Sequence, residues 1–337
     1  MKIFTIVTPL LAFAILGCVT KAFRNPQSEN SFHLEFLKYE TNVDLVQSVN
    51  LRTGFFHESG ETAFKGCVIY LEGLGDSIMN HRPLFQYLSK SGYRVLAFDY
   101  MGQGGSEGKM NHSRISTSLE FQKLEIATQA KYVWNQYEKV KGANGQDCTK
   151  SRKVVIGWST GGLVAYQLAF EGWANGVVLL APGLHTRTLI GEAAESPTLL
   201  LSSTSQIITE RTLTRNKFEN KINPHIDSIK PQSPTVVPNF ALSLIIGAKL
   251  ARTWDIARSV EGIVFLSGNE DTYVNRENTM QTLKKKAPHF SVFAYDGALH
   301  ELDNELPVVT NDMYPRITQF LDQQSQVKLN LTTELKK

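Results

Sequence analysis

Residues 154–162 read Val-Val-Ile-Gly-Trp-Ser-Thr-Gly-Gly, and the rest of the chain is best interpreted outward from them. An apolar run precedes the pattern Gly-x-Ser-x-Gly, and residues 163–169 can continue as a helix. This order predicts a buried strand, a sharp turn at Ser159 and a helix. Such a turn strains the backbone of its central residue and leaves room only for small neighbours, which glycine provides here. The serine oxygen would then lie at a helix N-terminus that favours a developing anion, so Ser159 is the candidate nucleophile; a structural Gly/Ser turn is the alternative.

The overall composition excludes several classes of protein. The 337 residues fit one large α/β domain or one domain with an insertion. Lys and Arg exceed Asp and Glu by only 35 − 32 = 3, which argues against a nucleic-acid partner, and the one basic run, 284–286, suits a solvated helix face. There is no His-Glu-x-x-His pattern, and three cysteines are too few for a zinc site. No Gly-Lys-Ser/Thr follows the glycines near Gly104, so we predict neither a metal nor a cofactor.

The N-terminus has the pattern of a targeting segment. A short basic start precedes an almost wholly apolar run, Ile3 to Leu16, which is shorter than the ~20 residues of a spanning helix. Residues 15–18, Ile-Leu-Gly-Cys, resemble the lipobox of bacterial lipoproteins. This resemblance implies that residues 1–17 are a signal peptide and that Cys18 carries a lipid anchor on a membrane of the bacterial cell envelope, facing the periplasm or the outer membrane. A plain cleaved signal and an uncleaved anchor helix are the alternatives.

Apolar runs alternate with helical patterns along most of the chain. An antiparallel opening hairpin at a sheet edge is predicted from residues 32–39 and 45–56. Further strands are predicted at 67–71, 94–98, 154–156, 176–181, 262–266 and 290–295. Helices are predicted at 84–92, 116–140, 163–169, 276–286 and 308–321. The alternation predicts an α/β fold with a mostly parallel, doubly wound sheet and a ligand site outside the carboxyl ends of its strands.

The alternation stops in the second half of the chain. Between His185 and Ile256 the sequence is rich in Ser, Thr and Pro, and we interpret residues 185–256 as a cap inserted above the sheet. The other predicted segments are a tether at 18–31, a core at 32–184 and 257–324, and a polar tail at 325–337. The apolar cap residues, Leu199–Leu201 and Leu242–Ile246, would either line a channel for an acyl chain or pack the cap onto the sheet.

A serine nucleophile needs a base and a carboxylate that orients the base. After a Gly-x-Ser-x-Gly turn the partners follow in the order Asp or Glu, then His. Of the eight histidines, His300 alone follows the last predicted strand, at the edge that carries Ser159. Asp271 follows the strand at 262–266, and we predict it as the orienting acid, with the adjacent Glu270 as the alternative. Asp296 and Asp303 are less well placed.

The oxyanion of an acyl-transfer intermediate needs two backbone donors. One is predicted at the N–H of Thr160, directly after the nucleophile. The other is predicted at the N–H of Leu74, in the loop that follows the strand at 67–71. An ordinary flexible turn is the alternative interpretation of Gly73–Gly75.

Four motifs resemble those of the monoacylglycerol lipase/lysophospholipase family of α/β-hydrolases, which is grouped with the serine aminopeptidases (S33). They are residues 72–75, 98–106, 157–162 and 297–302, and the segment at 305–311 is especially similar to monoacylglycerol lipases. The resemblance covers about residues 45–322, thinly over the cap. It implies the α/β-hydrolase fold, the triad Ser159, Asp271 and His300, and hydrolysis of an ester of one long acyl chain through an acyl-enzyme.

The chain departs from this family at the start of the oxyanion loop. The family usually has His-Gly there, whereas this chain has Glu72-Gly73. A carboxylate cannot donate the hydrogen bonds of a histidine unless it is protonated. Glu72 would otherwise repel an anionic substrate or be neutralised by Arg82.

Two cysteines, Cys67 and Cys148, remain beside Cys18, and an exported protein can pair them. In the α/β-hydrolase fold the strands at 67–71 and 154–156 are neighbours. The resemblance therefore predicts both cysteines near one sheet edge, away from the active site, and a disulfide between them. Two buried thiols are the alternative.

The same triad serves other reactions, because fold does not fix the substrate. A short-chain carboxylesterase and a serine aminopeptidase-like peptidase are alternatives to the lipid esterase. A non-catalytic alternative is an envelope lipoprotein that resembles a hydrolase but has no activity. The presence of Ser159, Asp271 and His300 argues against this alternative, and Glu72 favours it slightly.

Overall fold

Eight strands form one sheet in the computed structural model, which describes residues 32–40, 48–56, 63–108, 125–139, 148, 151–187 and 238–334. The strands are β1 (Phe32–Glu40), β2 (Ser48–Phe56), β3 (Gly66–Leu71), β4 (Tyr93–Phe98), β5 (Val154–Trp158), β6 (Gly176–Leu180), β7 (Glu261–Leu266) and β8 (Ser291–Ala294). Their order is β1-β2-β4-β3-β5-β6-β7-β8. β1 and β2 form an antiparallel hairpin, and β2 pairs antiparallel with β4. The neighbouring strands in the remaining order, β4-β3-β5-β6-β7-β8, all pair parallel. The predicted mostly parallel α/β sheet is confirmed.

Helices cover both faces of this sheet. The described helices are α1 (Arg82–Lys90), α2 (Glu125–Lys139), α3 (Thr160–Phe170), α4 (Pro238–Ala251), α5 (Arg276–Lys286) and α6 (Pro307–Glu334), with short 3₁₀ turns at Ile78–His81 and Leu302–Asn304. Side chains of α2 and α3 pack in one buried apolar cluster, and side chains of α1 and α6 pack in the other. Since no face of the central strands meets water, these strands are continuous apolar runs.

Strand β3 shows how the two layers divide the sequence. Ile69 and Leu71 belong to the cluster beneath α2 and α3, and Val68 and Tyr70 belong to the cluster beneath α1 and α6. All four side chains are fully buried. The carboxyl ends of the parallel strands lie along one edge, and the loops that follow β3, β5, β7 and β8 meet there.

The last helix is longer than the sequence pattern predicted. Helix α6 runs to Glu334, past the predicted end at Leu321 and through most of the segment predicted as a polar tail, 325–337. Residues 322–334 contain no Gly or Pro, so nothing in the sequence stops the helix after its apolar stripe ends.

Several predicted segments lie outside the described residues. They include the leader at 1–17, Cys18, the tether at 18–31, the start of the helix predicted at 116–140, and the cap between 188 and 237 with its apolar Leu199–Leu201. Helix α4 falls within the predicted cap, and the side chains of Leu244, Ile245 and Ile246 on it are half-buried. Among the described helices none is both long and apolar enough to cross a membrane.

A disulfide joins Cys67 and Cys148, whose Cα atoms lie 5.4 Å apart. Cys67 lies near the start of β3, and β3 pairs directly with β5. Both cysteines are buried, and they lie at the end of the strands opposite to the loops that carry Ser159 and His300. The bond therefore closes a long loop of chain without contact with the candidate site.

We expect the double substitution Cys67→Ser/Cys148→Ser to lower the free energy of unfolding by about 4 kcal/mol, because the cross-link limits the unfolded chain over a separation of 81 residues. Denaturant titration of both proteins without reductant measures the difference. Wild type in dithiothreitol should approach the stability of the double variant. An equal stability of wild type with and without reductant would contradict the prediction.

Candidate active site

The turn between β5 and α3 holds Ser159 in a left-handed backbone conformation, with φ 53° and ψ −115°. Such a conformation is costly for a residue with a side chain and persists only where its surroundings enforce it. A Cβ atom at Gly157 would lie 2.2 Å from the carbonyl oxygen of Gly161, and one at Gly161 would lie 2.1 Å from the carbonyl oxygen of Leu71. Both flanking glycines are therefore required by contact, and the turn presents Ser159 at the N-terminus of α3.

Three side chains from three loops form a hydrogen-bonded chain. Ser159 Oγ lies 2.8 Å from His300 Nε2, and His300 Nδ1 lies 2.8 Å from Asp271 Oδ2. The loops follow β5, β8 and β7, so all three side chains lie at the carboxyl edge of the sheet. The geometry matches a nucleophile, a base and an orienting acid, because the base reaches the hydroxyl and the acid holds the other ring nitrogen.

Asp271 is fully buried and is held by several donors. Its Oδ1 accepts from the backbone N–H of Tyr273 at 2.7 Å and of Val274 at 3.1 Å, and the Ser267 hydroxyl donates to Oδ2. Burial acts to raise the pKa of Asp271, but His300 and these donors hold it below its ordinary value, so the group is a carboxylate. The adjacent Glu270 is exposed, and the structure therefore brings Asp271 to His300.

The other two acids weighed for this role face elsewhere. Asp296 is exposed and pairs with Arg276. Asp303 is buried, and its Oδ2 oxygen accepts from Tyr70 and from a different histidine, His81.

Two aromatic residues that the sequence pattern did not single out fix the position of His300. Trp158 Nε1 donates to the carbonyl oxygen of His300 at 2.9 Å. The ring of Tyr273 stacks on the imidazole, with centroids 4.8 Å apart and planes 26° apart. The adjacency of Trp158 to Ser159, and of Tyr273 to the acid loop, was the only available signal, since neither residue belongs to a catalytic pattern.

The loop after β3 packs against the strained turn. A Cβ atom at Gly73 would lie 2.3 Å from the ring of Trp158. Thr160 is the first residue of α3, and the first N–H groups of a helix have no acceptor within the helix. These observations put Gly73 against the residue that precedes Ser159 and Thr160 at the first position of α3. The N–H groups of Thr160 and Leu74 as the two oxyanion donors stay predictions.

Gln103, from the loop after β4, holds the same loop in shape. Its Oε1 accepts from the N–H of Gly75 at 2.8 Å, and its Nε2 donates to the carbonyl oxygen of Gly73 at 2.7 Å. Tyr100 adds a bond from its hydroxyl to the carbonyl oxygen of Glu72 at 2.6 Å. These contacts restrict the backbone on both sides of Leu74.

Glu72, the departure from the family pattern, is fully buried beneath this loop. Its Oε1 accepts from Gln103 Nε2 at 2.7 Å, and no hydrogen-bond partner for its Oε2 lies among the described residues. Burial, together with the negative charges of Asp99 and Asp76, raises the pKa of Glu72 well above its ordinary value. Burial and these charges therefore favour the protonated form of Glu72 over its carboxylate.

A second cluster of ionisable groups lies behind Trp158. Oxygen and nitrogen atoms of Asp76, His81 and Glu301 all lie within 4.8 Å of one another, which is close enough for one metal ion. However, both ring nitrogens of His81 already face carboxylates, with Nε2 2.5 Å from Asp76 and Nδ1 2.6 Å from Asp303. A histidine needs a free nitrogen lone pair to bind a metal, so we describe the cluster as a hydrogen-bonded network.

Comparison with known families agrees with this architecture. The family model described as Serine aminopeptidase, S33 (Hydrolase_4) matches residues 62–307. The match spans more than two thirds of the 337 residues, and the chain belongs to this hydrolase family. No curated protein matches the sequence significantly.

Solved structures of lipases and esterases share the fold. The chain is similar to the Paleococcus ferrophilus monoacylglycerol lipase, with 21% identity and a TM-score of 0.59, over 81% of this chain and 99% of that one. It is also similar to a soluble variant of the Saccharomyces cerevisiae monoglyceride lipase in complex with a substrate analogue, with 15% identity and a TM-score of 0.64, over 88% of this chain and 97% of that one. The Pyrococcus furiosus esterase Pf2001 has 21% identity and a TM-score of 0.51, over 87% of this chain and 90% of that one. At these identities the likeness shows the α/β-hydrolase fold and nothing finer.

We expect the stability of the fold to decrease between about pH 5 and pH 8 because of Glu301. Burial and the charge of Asp76 raise the pKa of Glu301 to about 8. Below this pH the folded protein holds a proton that the unfolded chain releases above about pH 4.3, so the folded state loses stability as the pH rises through this window. Glu301→Gln removes the titration and keeps an oxygen for the bond from Asn304.

Denaturant titrations at pH 5, 6.5 and 8 measure this effect. Relative to Glu301→Gln, the wild type should lose up to about 1.4 kcal/mol of unfolding free energy per pH unit. The exposed Glu277→Gln on α5 is the matched control and should follow the wild type at each pH. Parallel curves for wild type and Glu301→Gln would contradict the prediction.

Proposed function

We propose that this member of the S33 hydrolase family cleaves carboxylic esters of single-acyl lipids, monoacylglycerols or lysophospholipids, through an acyl-enzyme. The observation that carries the proposal is the chain of two 2.8 Å contacts from Ser159 through His300 to Asp271, at the carboxyl edge of the sheet. A strained serine at a helix N-terminus, hydrogen-bonded to a base that is held by a buried carboxylate, is suited to attack a carbonyl carbon.

The first half of the proposed reaction acylates the serine. His300 Nε2 takes the hydroxyl proton while Ser159 Oγ forms a bond to the ester carbonyl carbon. The carbonyl oxygen becomes an oxyanion that accepts hydrogen bonds from the N–H groups of Thr160 and Leu74. Asp271 stabilises the imidazolium, which then gives its proton to the alcohol oxygen as the carbon–oxygen bond breaks. Glycerol or a glycerophosphodiester leaves, and the acyl group remains on Ser159.

The second half uses water in the same way. His300 takes a proton from the water, whose oxygen attacks the acyl carbon, and the same backbone donors hold the oxyanion. Collapse of this intermediate returns the proton to Ser159 Oγ and releases the fatty acid.

Two observations support hydrolysis of a lipid ester at this site. The sequence motifs that resemble monoacylglycerol lipases lie on the loops that build the site, at 72–75 and 297–302. Glu72, whose carboxylate would oppose an oxyanion at this place, is buried, and its raised pKa favours the protonated form, which carries no negative charge. The family is named after serine aminopeptidases, which favours a peptidase as the alternative, and substrate comparison separates the two.

We expect a fluorophosphonate probe to label the wild type and not Ser159→Ala, because the probe forms a covalent bond only with an activated serine. Ester hydrolysis by this variant should fall by at least about 10⁴-fold. Ser91→Ala is the matched control, since the Ser91 hydroxyl donates to Tyr87 at the end of α1, away from the site. Equal labelling of wild type and Ser159→Ala would remove Ser159 as the nucleophile.

The substrate class is tested on the same preparations. Initial rates are measured on monoacylglycerols and lysophospholipids of several chain lengths, short-chain esters and aminoacyl amides. We expect the highest kcat/KM on a single-acyl lipid. A preference for aminoacyl amides would replace the proposal by a peptidase, and a preference for short esters would replace it by a carboxylesterase. Labelling without turnover of any substrate would favour a binding protein.

We also propose that residues 1–17 are a leader and that a lipid on Cys18 holds the enzyme at a membrane, although these residues lie outside the described part of the chain. Two acyl chains anchor a protein stably, so Cys18→Ser should move it from the membrane fraction to the soluble fraction of a bacterial host. Cys67→Ser/Cys148→Ser keeps Cys18 and should stay with the membrane. Retention of Cys18→Ser in the membrane would overturn the lipid anchor.

A further inference from the structure

His81 is a fully buried imidazole that joins two separate segments of the active-site rim. Its Nε2 lies 2.5 Å from Oδ2 of Asp76, in the loop after β3, and its Nδ1 lies 2.6 Å from Oδ2 of Asp303, in the 3₁₀ turn. The first segment carries Leu74, and the second begins two residues after His300. One side chain thus spans from the predicted oxyanion loop to the loop of the base.

Further contacts join the same two segments. Asn304 Nδ2 donates a hydrogen bond of 2.9 Å to the carbonyl oxygen of Asn80, the residue before His81. The ring centroid of Trp158 lies 5.5 Å from that of His81 and 5.4 Å from that of His300. Since Trp158 directly precedes the nucleophile, the three loops of the site meet around this indole.

The surrounding charges favour the doubly protonated form of His81. Burial acts to lower its pKa, but the carboxylates of Asp303 and Asp76 raise it well above the ordinary histidine value. An imidazolium donates from both nitrogens, whereas a neutral imidazole donates from only one. The titratable groups that face the ring are Tyr70, Glu72, Asp76, Glu301 and Asp303.

We propose that His81 is a positioning residue for the reaction: as a buried bridge between Asp76 and Asp303, it sets the distance between the oxyanion loop and the base loop. The inference rests on the proposed function of Ser159 and His300. The hydrogen bonds of His81 go to the two carboxylates and to Tyr70, so it acts on the reacting groups only through the loops that carry them.

The bridge matters because an oxyanion site works only at a fixed geometry. The backbone donors must meet the oxygen while the base still reaches the serine, and a displacement of about 1 Å costs on the order of 100-fold in rate. His81→Gln keeps a polar side chain, but both of its N–H donors are on one nitrogen and not on opposite sides of a ring, so it does not span the two carboxylates as an imidazolium does. One carboxylate then lacks the donor from position 81, and the bond from Asn304 to Asn80 remains as a direct link between the two segments.

The test measures the rate of inactivation by the fluorophosphonate probe and the kinetics on the best ester found. We expect His81→Gln to lower both the inactivation rate and kcat by about 10- to 100-fold. KM should change less than about threefold, because the fully buried His81 does not contact the substrate directly. A variant with kcat within about twofold of the wild type would overturn the inference.

A double-mutant cycle with Asp303→Asn shows whether the bridge acts as one unit. We expect Asp303→Asn to slow both reactions as well, and the double variant to be no slower than the slower single variant. Effects that multiply would overturn the inference. If circular dichroism shows that His81→Gln is unfolded, the kinetic test uses Asp303→Asn alone, because this substitution preserves the side-chain volume.

Loss of stability alone is separated by a matched control. Cys67→Ser/Cys148→Ser destabilises the other end of β3, and we expect it to lower Tm without changing kcat. If His81→Gln behaves in the same way, His81 only stabilises the fold and the inference fails. A wild type that does not react with the probe would overturn both the proposed function and the inference. A wild type that reacts, together with a His81→Gln variant of unchanged inactivation rate and kcat, would overturn the inference alone.

The protonation state of the bridge is measured without substrate. In ¹⁵N-histidine NMR spectra at pH 7, we expect both ring nitrogens of His81 to carry protons, with the signal assigned by its absence in His81→Gln. A singly protonated ring at this pH would contradict the bridge, because the ring would then donate to only one of the two carboxylates.

Discussion

The left-handed backbone of Ser159 is the constraint on which the rest of the site depends. A side chain rarely adopts a φ of 53°, and here contact on both sides enforces it. The carbonyl groups of Leu71 and Gly161 approach so closely that only glycine fits at positions 161 and 157. The end of β3, the end of β5 and the start of α3 are thereby pressed together. The nucleophile, the predicted donors and the oxyanion loop follow from this one close approach.

The carboxyl groups buried at the same edge of the sheet include Glu72, Asp76, Asp271, Glu301 and Asp303. An unpaired buried charge is costly, and the protein compensates these groups in three ways. Asp271 is paired with His300 and bonded by backbone donors. The glutamates hold their protons to a higher pH than usual. The remaining two aspartates share the imidazole of His81. The carboxylate of Asp271 therefore lies among carboxyl groups that either have a raised pKa or are paired with the imidazole of His81.

Much of the fold could be predicted from periodicity alone. Each strand predicted from the sequence is present in the sheet, and the helix at 276–286 has the predicted bounds. The central strands are buried on both faces, so they are continuous apolar runs. The end of α6 was missed, because the pattern used to find it was the apolar stripe, and the helix continues where that stripe stops. Segment ends without Gly or Pro carry little local signal.

The sequence by itself determined the chemistry: a serine in a glycine-flanked turn, and a histidine and two adjacent acids after later strands. Only the tertiary structure decided between those acids, since Glu270 and Asp271 are equivalent in sequence, and burial against His300 distinguishes them. It also decided the burial of Glu72 and the bridge through His81. Those properties arise from burial and from contacts between residues that are not neighbours in sequence, 222 positions apart for His81 and Asp303, and no local pattern encodes them.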